Sequence, residues 1–221
     1  VSVPQGPDVA DDRIVEMAGR SFGRVEPGPA IPDLRIQEPE QRGERTVRVE
    51  KDVQLPGVIL AYRAPEATHE DAAPLNVAEY ILFRGRSSRL YQRLIYQEPL
   101  ATDVGGGYYL RRDPSTFTIR ATGRPGVEIE RVRGAILATV ESLRTTPPTE
   151  REMEKARNQL MADYIFGLEN NFELGYGLGS DECRSSWQDF FRFHELCIAV
   201  GVDKVAAVAT SILTERNRTT G

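Results

Sequence analysis

Residues able to do chemistry are few in this chain of 221 amino acids, and their spacing excludes most catalytic designs. There are two histidines, His69 and His194, and each is followed by glutamate. A helical zinc-protease motif needs His-Glu-x-x-His, which puts two imidazoles on one helix face with the glutamate placed to activate water. Position 73 is Ala and position 198 is Ile, so neither histidine has its partner. The inverted motif His-x-x-Glu-His is absent as well. Two distant histidines with a carboxylate remain an open way to hold zinc, although scattered single histidines are more often structural or solvated. Gly-x-Ser-x-Gly is missing, and Ser87-Ser88 stands where helix caps stand. Gly105-Gly106-Gly107 lacks the Lys-Ser/Thr and the following helix of a phosphate loop. It reads as a bulged strand, or as a strand edge on which another backbone can pair. Tyr108 and Tyr109 follow it and point to opposite faces, so at most one belongs to the core and the other is free to act as an exposed anchor. Glu150, Glu152 and Glu154 read as a solvated helix face. Cys183 and Cys197 form no CxxC and read as small apolar helix residues.

Composition narrows the classes further. With 40% hydrophobic and 28% charged residues the chain is an ordinary globular one. A net charge of −5, without a basic run, argues against nucleic acid as partner. No apolar stretch approaches the length of a membrane span. The start, VSVPQGPDVADD, lacks the basic flank and apolar run of a signal peptide. It begins with Val, so the compartment stays open.

The elements that must position these residues follow in order. Val1–Val3 is too short to assign, a strand stub being one option. A helical pattern from Asp8 carries Val9, Ile14, Met17, Ala18 and Phe22 on one face, and Gly23 ends it. Residues 24–43 hold Pro27, Pro29, Pro32 and Pro39 and read as an extended linker. Residues 44–52 alternate as a half-buried strand, and VILAY within residues 57–63 suits a strand covered on at least one side. Asp71 is placed to cap a helix running to Arg84 with Leu75, Ala78, Ile81 and Leu82 inward. Ser87-Ser88 then caps a short helix bearing Leu90, Leu94 and Ile95, which Pro99 stops. Residues 101–112 and 116–122 read as an antiparallel pair, the second with Phe117, Ile119 and Ala121 inward. Amphipathic helices follow over residues 126–144 and from Thr149, where Thr149 and Glu152 form a capping box. Asn170–Arg184, thinned by glycines, is a weaker helical stretch. Residues 187–200 are helical with Phe190, Phe191, Leu196 and Cys197 as candidate core. A last helix from Asp203 holds Val205, Val208, Ala209 and Ile212, and residues 216–221 begin an extended segment. The pattern is α+β: an antiparallel sheet covered by helices on one face.

The segment Gly85-Arg86-Ser87-Ser88-Arg89-Leu90-Tyr91, with Leu94, Leu100-Ala101 and Val104, resembles the C-terminal half-domain of insulinase-type (M16, pitrilysin-like) zinc metallopeptidases. Phe117-Thr118-Ile119 is similar to the family's following strand. The stretch from Pro148 to Leu160 resembles its capped helix, and Val205-Ala206, Ile212-Leu213 and Asn217-Arg218-Thr219 its last helix and strand start. The resemblance covers residues 44–221 and implies a fold like half of a mitochondrial processing peptidase. It implies that residues 1–23 are the last helix of a preceding N-terminal half, that residues 24–43 are the linker between halves, and that the final strand is cut short.

The resemblance also implies a division of labour. Zinc is expected in the missing N-terminal half or a partner subunit, and none in this chain. The family's C-terminal half often supplies an Arg and a Tyr, seven residues apart, that contact substrate. Those positions are Ile95 and Thr102 here, so the pair is missing and no catalytic residue is carried over. The expected function is a non-catalytic half that closes a proteolytic chamber and helps hold an extended peptide, with Gly105, Gly106, Gly107 and Tyr108 as the binding strand. The alternative is an inactive structural or partner subunit of a heteromeric assembly. Expected partners are the N-terminal half-domain or a homologous subunit, and a peptide.

Overall fold

The computed structural model describes residues 11–29 and 38–221. The strand option at Val1–Val3, the expected helix start at Asp8 and Pro32 of the linker lie outside the described residues. The chain divides into two units, Val1–Glu40 and Gln41–Gly221. In the first, α1 spans Asp11–Phe22, and Ile14, Met17 and Phe22 along it are exposed. Glu16 and Arg20 pair one turn apart on its surface, and the amide of Gly23 donates to the carbonyl of Gly19 at its end.

The second unit is built on a five-stranded sheet of order β1-β5-β2-β4-β3. Its strands are β1 (Arg45–Thr46), β2 (Gly57–Ala64), β3 (Ala101–Tyr108), β4 (Ser115–Gly123) and β5 (Arg218–Thr220). All neighbours are antiparallel except β1 and β5, which run parallel, so the sheet is mixed at that edge. The expected alternation in β4 holds, with Phe117, Ile119 and Ala121 buried. In β2, Val58, Leu60, Tyr62 and Ala64 are buried while Ile59 is 50% exposed, so helices cover one face only.

The half-bury strand expected over residues 44–52 shrinks to Arg45–Thr46, and Val47 and Val49 are exposed. Among the described residues its only ladder partner is the three-residue β5. The ladder ends with the amide of Val47 donating to the carbonyl of Thr220, and no layer covers the valines beyond it. The C-terminal extended segment itself enters the sheet interior, between β1 and β2.

Eight α-helices occur among the described residues. α2 (Ala72–Leu82), α4 (Ile129–Thr145), α5 (Glu150–Leu168) and α8 (Val202–Ser211) form the covering layer and bury the expected stripes, including Leu75, Ile136 and Val205. α6 (Asn171–Arg184) buries no residue, and α7 (Asp189–Ile198) buries Cys197 alone. Phe191 and Leu196, expected in the core, are exposed, and Phe190 is half-buried. Only the Phe190, Phe193 and Cys197 side of α7 meets the rest of the domain. Both thiols are free, Cys183 exposed and Cys197 buried, and burial pushes the Cys197 thiol up to about 12.

The junction after α2 departs from a plain helix. Gly85 takes φ +73°, a left-handed turn that suits glycine. Ser88 sits at the N-cap of α3 (Arg89–Tyr91), but its hydroxyl donates back to the Gly85 carbonyl and gives no cap bond. Asp71 likewise stands before α2 without a side-chain cap, because its backbone is already helical. From Gln92 to Gln97 the chain widens into a π-helix, and the amide of Glu98 donates five residues back to Arg93. Arg89 pins this junction to the helical layer. Its guanidinium forks onto Glu152 at 2.7 and 3.0 Å and also donates to Ser142 Oγ and the Thr146 carbonyl. Glu152 is the glutamate of the expected capping box, which is present.

Two carboxylates carry much of this wiring. Glu44 accepts from Arg218, Arg133 and Thr220, and Arg218 foremost holds it at about 2 against an ordinary 4.5. At Glu152 burial pushes upward, but Arg89 and Thr149 outweigh it and bring the group to about 2. Both pKa values are lower in the folded chain than in the unfolded one, so the stabilisation is complete above about 4.5 and is lost as pH falls towards 2. Urea midpoints should fall steadily over that window, and Glu44→Gln and Glu152→Gln should each flatten the dependence. An unchanged profile in both variants would refute the assignment.

Candidate functional site

The glycine run lies on β3, which among the described residues is an edge strand paired with β4 alone. The backbone shows why glycine is required at one of its positions. A Cβ on Gly106 would come within 2.0 Å of the Thr118 carbonyl oxygen, whereas one on Gly105 would meet nothing nearer than 3.9 Å. The strand also carries a register shift between Ala101 and Asp103, the expected bulge, although it falls before the glycines. The bulge residue is Thr102.

Alternation along an antiparallel strand decides which groups face outward. The amide of Tyr109 donates to the Thr116 carbonyl, and the Gly107 carbonyl accepts from Thr118 Oγ1, so these face β4. Val104, Gly106 and Tyr108 therefore turn their backbone groups to the open edge. The Tyr108 amide is already taken: it donates to Glu79 Oε2 at 2.7 Å. Val104 and Gly106 are left as the outward-facing pair. Tyr108 is the buried tyrosine, with its hydroxyl donated to the Pro65 carbonyl, and burial raises its pKa. Tyr109 is 47% exposed and is the tyrosine on the surface.

Glu79 was not singled out by sequence. It sits on α2, 1% exposed, and its other carboxylate oxygen accepts from Arg84 Nε at 2.6 Å. The signal was an acid inside the apolar run of α2, LNVAEYIL, one helical turn from both Leu75 and Leu82. The two positions that the resemblance aligns with the family's Arg and Tyr lie apart from the outward-facing pair of the open edge. Ile95 lies in the π-helix, partly buried against the core, and Thr102 is exposed with its hydroxyl donating to the Thr122 carbonyl.

A cavity of about 670 Å³ opens beside the end of this strand. The loop before α2, Leu110, and α5 to α8 enclose it, and it receives both histidines of the chain. His69 Nδ1 accepts from the Asp71 amide at 3.1 Å. His194 stacks on Tyr164 at 3.8 Å, and its Nδ1 is buried without a partner. Sequence spacing gave no hint that residues 125 positions apart share a wall. Among the described residues no group of three or more His, Cys, Asp or Glu is arranged to hold a metal.

Residues 8–160 match the family model described as Peptidase M16 inactive domain. The chain is 32% identical over 177 residues to zinc protease PqqE of Helicobacter pylori, covering 79% of this chain and 40% of that protein. It superposes on a protease from Helicobacter pylori with a TM-score of 0.90 at 27% identity, covering 96% of this chain and 52% of that one. It is also similar to an inactive peptidase domain from Bordetella parapertussis, with a TM-score of 0.70 at 28% identity, covering 79% of this chain and 95% of that one. The chain thus spans about half the length of the Helicobacter relatives.

Three substitutions test the edge. Gly106→Ala should destabilise the domain by about 3 kcal/mol, because strand backbone must move to admit the methyl group, while Gly105→Ala should stay within about 0.5 kcal/mol. Glu79→Ala should cost roughly 2 kcal/mol by leaving the Tyr108 amide unpaired. Urea unfolding of the three variants measures both differences.

Proposed function

From the chain's membership of the M16 peptidase family, as the inactive domain, we propose that it is the non-hydrolysing half of a zinc metallopeptidase that closes a chamber on an extended peptide. M16 inactive domains pair with N-terminal half-domains, and in this reading the zinc and its ligands belong to that half or to a partner subunit. The observation that carries the proposal is the open edge of β3. Backbone groups of Val104 and Gly106 face outward there, and Glu79 closes the strand beyond them. An extended peptide adds to such an edge through main-chain hydrogen bonds, which select for extension more than for side-chain identity.

The positions of the missing substrate-contacting pair favour a second reading. Ile95 is packed against the core and Thr102 is hydrogen-bonded within the sheet, so neither is available to polarise a peptide bond. A structural subunit that holds a catalytic partner without touching substrate meets that observation as well.

Peptide binding separates the two. An unstructured peptide should slow hydrogen exchange at the Val104 and Gly106 amides. The same peptide N-methylated at alternate nitrogens should bind about tenfold more weakly, the loss of ~1.4 kcal/mol. No hydrolysis sensitive to EDTA is expected from this chain alone. Equal binding of the methylated peptide would overturn edge pairing, and failure of both peptides to bind would favour the structural subunit.

A further inference from the structure

The cavity beside β3 is unused by the reading above and has the build of a ligand site. Its volume of about 670 Å³ lies within the range of small-molecule pockets. Four rings line it: Tyr164, Phe190, Phe193 and His194. Tyr164 lies against both His194 and Phe190, with ring centroids at 3.8 and 5.9 Å. Such a wall offers apolar surface and ring faces together.

The charges on the wall are unevenly committed. Arg184 is spoken for: it donates to Asp181 and to the Leu110 carbonyl. Asp189 accepts only from the Ser185 hydroxyl, and no cation among the described residues pairs with it or with Glu70. Lys204, the remaining cation of the lining, is exposed on α8. Burial foremost holds the Asp181 carboxyl above its ordinary value; Arg184 opposes this and Asp189 adds to it. Asp189 and Glu70 are therefore the lining carboxylates short of positive charge, since Asp181 has Arg184.

We propose that the cavity binds an organic cation, a guanidinium or ammonium group on an apolar stem, with the stem against the four rings and the charge against Asp189 and Glu70. Ring faces attract a desolvated cation, and the acids supply hydrogen-bond acceptors. The same chemistry is carried by a free alkylguanidine or by an arginine side chain in a peptide.

The test titrates the 221-residue chain with butylguanidinium, with an acetylated and amidated arginine dipeptide, and with pentanoate and pentanol as anionic and neutral controls. Calorimetry gives affinity. The imidazole NMR signals give location, because the two histidines of the chain both stand on this wall. The expected result is that butylguanidinium binds, shifts the His194 signal and weakens about tenfold in Asp189→Asn. Comparable binding by the dipeptide assigns the cation to a peptide side chain, and binding by butylguanidinium alone assigns it to a free small molecule. Glu70→Gln, on an exposed loop residue, is a second variant that does not touch the α6–α7 packing, and it should weaken binding in the same direction. Binding of pentanoate or pentanol as tight as that of the cation overturns the proposal. So does cation binding that both variants leave unchanged, or the absence of binding in the millimolar range.

Discussion

The buried carboxylate of Glu79 is the constraint on which the arrangement of this domain turns. A fully buried charge is tolerated only when its lone pairs are filled. Glu79 fills one side with the Arg84 guanidinium and the other with the backbone amide of Tyr108. The second bond joins the helical layer to the outermost strand, so α2 and β3 cannot slide past one another without stranding the charge. It also sets how much of the strand is open, since the edge ends where the carboxylate begins. Tyr108 is locked twice, by its amide and by its hydroxyl on the Pro65 carbonyl. Gly106 sits two residues earlier, close enough to β4 to exclude any side chain.

The same pairing of arginine with carboxylate recurs wherever a short segment must be held. Arg89 and Glu152 tie the α3 turn to the start of α5, and Glu152 serves the capping box at the same time. Arg218 and Glu44 tie β5 to the segment leading into β1, with Arg133 of α4 as a third member. In each case a planar guanidinium meets a partly screened carboxylate, where geometry makes the bond directional. These are the places with too few apolar residues for packing to do the fixing: β1 has two residues, β5 three and α3 three.

That division explains what was legible in the residues. Elements that bury an apolar face announced themselves by period. Phe117, Ile119 and Ala121 mark β4, and Met153, Ala156 and Leu160 mark α5, whose Thr149 and Glu152 cap is local chemistry. Elements held by distant partners did not. Val47 and Val49 alternate as a strand should, but a ladder needs a neighbour, and β5 is too short to supply one. Phe191 and Leu196 have the composition of a core and lie on the outer side of α7, because α7 meets the domain through one face only. The six residues from Gln92 to Gln97 are too few for their pattern to tell 3.6 residues per turn from a wider winding. At the candidate site, the glycine run was readable. Glu79, the pairing of Tyr108 and the meeting of His69 with His194 were not, since each depends on contacts between residues far apart in the chain.

The two features that offer something to a ligand speak different chemical languages. The edge of β3 presents backbone donors and acceptors, which every extended peptide can match and no folded one can. The cavity presents rings and carboxylates, which discriminate by charge and ignore backbone. They share one boundary, the turn from β3 to β4, because Leu110 lines the cavity two residues after the strand ends. Its position there is not free: the Arg111 carbonyl accepts from the Ala67 amide, and Ala67 lines the cavity too. A shift of β3 along its own axis would therefore move the cavity wall with it. Glu79, by fixing β3 against α2, fixes the cavity mouth as well. The buried charge of Glu79 thus bears on both the length of the open edge and the shape of the space beside it.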